Sequence, residues 1–208
     1  MRICIEGASA IGKSVLARAL AAKWGTDVIP EVNVLFSRPL LVEPRNWYFE
    51  RQVERWQLAS RKDHAILDGD LFQPLWYNWV YQDEGWQTLA EIREYYRSEV
   101  EFGRLAFPDL YLVLQASTEE IRRRCAEDPA RRRANFEKHL RFIEPQNRYF
   151  RRLADLCPGR VAFIPAEKRE EVLGRAVVAI EDCTAPTAAK GSLGILDGML
   201  EWLAANPA

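Results

Sequence analysis

The sequence predicts an α/β fold in which an open parallel sheet carries helices on both faces. Three observations lead there. Short apolar runs alternate with longer stretches of helical periodicity along the chain. A glycine-rich segment, residues 7 to 14, separates the first run from the first helical pattern. A third run, Ala65 to Leu67, ends in the carboxylate of Asp68. With 208 residues, 48% hydrophobic and 28% charged, the chain can bury one sizeable core, and disorder as its main state is excluded.

Taken in order, Arg2 to Glu6 is the first strand. The helix after it, Lys13 to about Lys23, repeats Val15, Leu16, Ala19 and Leu20 and stops near Gly25, so one stripe faces the sheet. Runs at Asp27 to Ile29, His64 to Asp68, Asp109 to Gln115 and Arg160 to Ile164 supply further strands, joined by right-handed crossovers. Ser117 and Glu120 make a capping-box pattern that opens another helix. A helix around Asn135 to Leu156 carries Phe136, Leu140, Ile143, Phe150 and Leu153 on one side, with Pro145 as a point of bending. Thr184 to Gly191 reads as a linker, and Leu193 to Ala205 as a docking helix or a frayed tail. The expected organisation is one domain over residues 1–183, then a linker and short C-terminal helix or tail over 184–208.

Charge removes some function classes. Lys and Arg number 29 against 30 Asp and Glu, which leaves no basic excess to hold nucleic acid. No run approaches the roughly 18 apolar residues of a membrane span, and Glu6 interrupts the first strand before any signal core forms. A cytoplasmic protein is expected, with no membrane partner and with a homodimer left open. The four cysteines (Cys4, Cys125, Cys157, Cys183) form no C-x-x-C pair, so neither a zinc site nor a disulfide framework is indicated. His64 and His139 receive no role.

Gly7-Ala8-Ser9-Ala10-Ile11-Gly12-Lys13-Ser14 is a complete G-x-x-x-x-G-K-S placed after a strand and opening a helix. The chemistry requires this arrangement. Glycines let the backbone wrap a phosphate, free N–H groups and the helix dipole favour the anion, and Lys13 reaches the terminal phosphates. The Ser14 hydroxyl is a ligand for the Mg²⁺ that accompanies ATP. Asp68, at the C-terminal edge of its strand, is a second candidate for that ion, and Asp70 falls on the same side two residues later. Either aspartate could instead cap the following helix.

A GTPase would show an N-K-x-D motif, and none is present. AAA-type motors need more chain than 208 residues. What remains resembles the P-loop small-molecule kinases, the group that contains deoxynucleoside kinases, thymidylate kinase and chloramphenicol phosphotransferase. The resemblance implies a three-layer P-loop NTPase sandwich with a five-stranded parallel sheet in the order 2-3-1-4-5. It also implies a substrate-binding region over about 32–107 and a helical lid over about 119–135. Ile5-Glu6-Gly7 is similar to the entry of the loop in deoxynucleoside kinases. Pro30-Glu31-Val32 is similar to their acidic motif, which makes Glu31 the implied general base. Trp56 to Arg61 resembles the base-reading helix, implying Gln57 or Gln52, with Arg61, as substrate contacts. Arg122 to Arg124 and Arg131 to Arg133 look like lid arginines, with Arg123 implied in catalysis and Arg124 in ATP binding.

Two positions depart from the pattern. Asp68-Gly69-Asp70 stands where those kinases have Asp-Arg or Glu-Arg, and Ala10 replaces a glycine, as in chloramphenicol-phosphotransferase-like proteins. A drug or metabolite alcohol therefore stays open as acceptor. Trp76 and Trp79 share one helical face of the segment Phe72 to Tyr81, with Gln73, Tyr77 and Tyr81 on another. Trp76, Tyr77 and Asp70 are the expected acceptor wall, although such aromatics also serve as core. The function expected is transfer of the γ-phosphoryl of ATP, with Mg²⁺, to a small ring-containing acceptor, a nucleoside or nucleotide first. A hydroxylated antibiotic or other metabolite follows, and a regulatory NTP-binding module is the reading from another class.

Overall fold

The computed structural model describes residues 1–39, 46–81, 87–128, 136–183 and 191–208. Five strands, β1 (Arg2–Gly7), β2 (Asp27–Ile29), β3 (Ala65–Asp68), β4 (Leu110–Gln115) and β5 (Val161–Pro165), form one parallel sheet in the order β2-β3-β1-β4-β5. Ile3 lies opposite Ile66, and Ile5 opposite Leu112. This is the sheet that the apolar runs and the resemblance foretell.

Side chains alternate across each strand, so β1 sends Ile3 and Ile5 to one face and Cys4 to the other. The Ile3 face is covered by α1 (Lys13–Trp24) and α9 (Arg169–Glu181), through Leu16, Leu20, Val172 and Ala176. The Cys4 face is thicker. It is covered by α3 (Trp47–Ser60), α4 (Gln73–Val80), α5 (Leu89–Glu101), α8 (Ile143–Leu156) and α10 (Ser192–Ala205). Trp56, Trp76 and Trp79 are buried in this layer and Trp47 is buried at the start of α3; Trp86 lies outside the described residues. Fully burying a large apolar side chain stabilises by about 1.5–3 kcal/mol, which accounts for the clustering of tryptophans in this part of the chain.

The last helix is part of that layer. Ile195, Leu196, Met199, Leu200 and Leu203 form one stripe into it. Beyond it, Asn206 O accepts from Trp79 Nε1 at 2.7 Å, and Pro207 O accepts from Arg148 at 3.0 Å.

Two helical expectations need correction. The segment expected as one helix from Asn135 is two, α7 (Phe136–Leu140) and α8, broken at Arg141 and Phe142. Pro145 sits in the first turn of α8, where its missing N–H costs no bond, so it marks a helix start instead of a bend. At α6 (Thr118–Ala126), Ser117 Oγ accepts from Glu120 N at 3.2 Å, but the Glu120 carboxylate turns instead to Arg123 and Arg124. The reciprocal box forms at α5, between Thr88 and Glu91.

Candidate active site

The phosphate loop leaves β1 at Gly7, whose φ of 143° and whose neighbour fix its identity. A Cβ there would lie 2.7 Å from the Leu114 carbonyl oxygen. Ala10, at φ 70°, is the one non-glycine residue at positive φ among those described, a cost of roughly 1–2 kcal/mol. A cavity of about 610 Å³ opens over the loop, Ala8 to Ser14. Glu31, Asp68, Arg124, Glu127 and Arg169 close its sides.

Lys13 Nζ donates to Gly7 O at 2.9 Å and stands 4.0 Å from Glu31 Oε1. Glu31 occupies the N-cap position of α2 (Val32–Leu35), but its side chain makes no capping bond; its stem lies beside Gly69. Ser14 is half-buried at the start of α1 and lines the cavity. Asp68 also lines it at 6% exposure, and its Oδ1 is buried without a hydrogen-bond partner. Such an oxygen fits a magnesium ion, directly or through a water, because an unmet acceptor in that position is otherwise costly.

Beneath the loop, Glu6 accepts from Gly7 N at 2.8 Å, Asp70 N at 2.8 Å and Gln146 Nε2 at 3.2 Å. It ties the loop to the end of β3 and to α8. Burial pushes its carboxyl up to about 7, with Lys13 pulling the other way. Asp70 is fully buried and accepts from Phe72 N, Trp76 Nε1 and Tyr111 Oη; burial pushes it up to about 6.

Several expected site residues are therefore placed elsewhere. Asp70 is a core acceptor with no exposure to substrate. Trp76, at 2% exposure, is the core partner of Asp70 and Phe142. Arg61 is exposed at the far end of α3, beside the start of β3 and thus at the edge opposite the loop. Gln57 sits about one and a half turns closer to that far edge than Gln52 and does not line the cavity. Arg123 is exposed and pairs with Glu120 and Glu127. Arg124 does line the cavity, but it is buried and its N–H groups serve protein acceptors: Ile11 O at 2.7 Å, Glu167 O at 3.0 Å, Ala166 O and Glu120. It straps the phosphate loop to the segment after β5. Arg131 to Arg133 lie outside the described residues.

Three further side chains lie in the field of Glu31: Tyr48, Tyr77 and His139, from α3, α4 and α7. Burial, and next Glu31, hold the Tyr48 phenol at about 12, and Asn33 Nδ2 donates to it at 3.4 Å. Burial raises Tyr77 further; its ring packs 4.5 Å from Phe142. His139 is lowered by burial and by Lys13. Arg55, 1% exposed, donates to Asp68 O at 2.7 Å, Gly69 O at 3.0 Å and Gln52 Oε1 at 2.6 Å. Tyr77 and Gln52 were among the expected substrate contacts; the sequence reading missed Tyr48, His139 and Arg55. The signal for Arg55 was present: Gln52 and Arg55 interrupt the apolar stripe of α3 at its regular spacing.

No curated protein matches the chain in sequence. Among solved structures, the fold is similar to deoxyadenosine kinase from M. mycoides with bound dATP, at 16% identity and a TM-score of 0.62, over 88% of this chain and 100% of that one. A second structure of that kinase, with dCMP and dCDP, aligns at 17% identity and a TM-score of 0.57, over 87% and 97% of the two chains. A gluconokinase from Sinorhizobium meliloti 1021 aligns at 16% identity and a TM-score of 0.51, over 86% and 91%. At such identities the likeness concerns the fold, which is that of the P-loop small-molecule kinases. The family model that matches covers residues 2–153 and is described as an AAA domain. AAA-type proteins were set aside on chain length, and this match restores the AAA kind of nucleotide-binding core. On strand order, phosphate loop and this match over most of its length, the chain belongs to the AAA domain family of P-loop proteins.

Proposed function

We propose that the chain is an ATP-dependent phosphotransferase acting on the hydroxyl of a small ring-containing acceptor, a nucleoside before an antibiotic or other metabolite alcohol. One observation carries this: a carboxylate, Glu31, stands 4.0 Å from the phosphate-loop lysine on the open side of the cavity. A neutral hydroxyl needs a base there, whereas a phosphate acceptor would bring further negative charge to a carboxylate.

In this reading the loop N–H groups and Lys13 hold the β- and γ-phosphates and meet charge that grows on the transferring group. Ser14 and Asp68 would hold the nucleotide's Mg²⁺, which neutralises phosphate charge. Glu31 accepts the proton of the acceptor hydroxyl as its oxygen bonds to the γ-phosphorus and the bond to the ADP oxygen breaks. Tyr48, Tyr77 and His139 form the wall against which the acceptor ring lies. The substrate region over about 32–107 and a lid over about 119–135 belong to the same proposal.

The experiment is ADP release from ATP and Mg²⁺ with a panel of nucleosides, nucleotides and hydroxylated antibiotics. A nucleoside should raise turnover well above the basal rate. The AAA domain description favours a second reading, an NTP-dependent regulatory module. Basal hydrolysis that no small acceptor raises would select it.

A further inference from the structure

Arg55 is a guanidinium at 1% exposure on α3, and among the described residues no carboxylate oxygen pairs with it. Burying an ion without a partner of opposite charge is expensive, and an apolar side chain would fill the same space at less cost. Its bonds therefore have to be read for the geometry that they impose. Two of them go to consecutive carbonyls, Asp68 O and Gly69 O, where β3 ends. Gly69 N still donates to Ile5 O at 3.0 Å, so the turn starts from the ladder, but its carbonyls are met by an α3 side chain. Gln52 holds the guanidinium from behind. Arg55 Nε is buried without a partner.

The two carboxylates of the cavity are fixed to either side of this turn. Asp68 lines the cavity and holds a buried carboxylate oxygen, Oδ1, that has no hydrogen-bond partner. Glu31 lies against the bare Cα of Gly69, where a side chain would come within 3.3 Å of it. We propose that Arg55 is a positioning residue: by clamping the Asp68 and Gly69 carbonyls it aims Asp68 at the metal-nucleotide and seats Glu31 opposite Lys13. Its charge, placed among Glu31, Asp68 and Tyr48, reaches the same groups without touching substrate. The inference rests on the phosphotransferase reading only in requiring that the cavity bind a metal-nucleotide.

The test compares Mn²⁺·ATP with metal-free ATP, the latter in a chelator, by titration calorimetry on the full chain, Arg55→Met and Arg55→Lys. Arg55→Met should weaken Mn²⁺·ATP at least about fivefold while metal-free ATP changes less than twofold. Arg55→Lys keeps the stem and charge, and so the fold, but cannot bridge both carbonyls and the amide; it should recover no more than part of that loss. A melting temperature that falls in both variants while the ratio of the two affinities stays at the parent value would overturn the proposal and leave Arg55 a support of β3. If the parent chain binds neither form, the nucleotide reading itself fails, which is a separate outcome.

Discussion

Glu31 lies over Gly69. A Cβ built on Gly69 would stand 3.3 Å from Glu31 Cγ and 3.7 Å from its Oε1, at a φ of +88° that side-chain-bearing residues rarely adopt. At position 69 the resemblance to deoxynucleoside and thymidylate kinases implies an arginine; here glycine leaves space that the side chain of Glu31 occupies. Gly69→Ala should cost about 1–2 kcal/mol, roughly 2–8 °C in melting temperature for a chain of this size. Turnover should fall at least about tenfold with ATP affinity held. A variant that melts early but turns over normally would mean that the seat of Glu31 is unimportant.

Lys13 and Glu31 should separate binding from chemistry. Lys13→Ala removes a charge aimed at the transferring group, and loss of such a contact costs about 2.7–4 kcal/mol, or 10²–10³-fold in kcat. Glu31→Gln should lower kcat roughly 10²–10⁴-fold while the Kd for ATP stays near the parent value. Loss of ATP binding in Glu31→Gln would assign the carboxylate to the nucleotide side.

Stability should fall as pH rises. Glu6 and Asp70 are held at about 7 and about 6, against 4.5 and 3.8 in the unfolded chain. Between about pH 4 and 7 the native state binds more protons than the unfolded one. The contribution of these groups is thus fully present below the unfolded values and is lost as pH climbs through the folded ones. Urea midpoints at pH 5 and pH 8 should differ in that direction, and Glu6→Gln should flatten the slope. Parallel profiles for variant and parent would show that Glu6 is ionised in both states across the window.

The arginines of α6 should fall into two classes. Arg124→Ala strands two buried carbonyl oxygens, Ile11 O and Ala166 O, at about 1–3 kcal/mol for each group left unmet, and loosens the phosphate loop at Ile11. Arg123→Ala breaks only exposed pairs with Glu120 and Glu127 and should change neither melting temperature nor nucleotide affinity measurably. Equal effects at the two positions would contradict this division.

The sheet and phosphate loop were legible because their information is local. An apolar run, a turn and a helix start are written in consecutive residues, and all five strands fall within a residue or so of their runs. The surroundings of Glu31 were legible only in part. Tyr77 was expected from its helical face, but Tyr48 and His139 lie on α3 and α7, 91 residues apart, and only the fold brings both into the field of Glu31. Trp76 and Asp70 carried site-like chemistry in the sequence, yet they satisfy one another in the core. Consecutive arginines could not be told apart before the partners of Arg124, distant in sequence at Ile11 and Ala166, were in view.

The docking of α10 also sets an order on biogenesis. Five of its side chains complete the same apolar layer as β1 and β3, and Asn206 takes the hydrogen bond of the buried Trp79. Synthesis runs from the N-terminus, so the phosphate loop and the first four strands leave the ribosome while that layer still lacks its last wall. Until residues 192–205 have emerged, this face of the nascent chain is an exposed hydrophobic surface, and here a chaperone that binds apolar segments would have its longest opportunity.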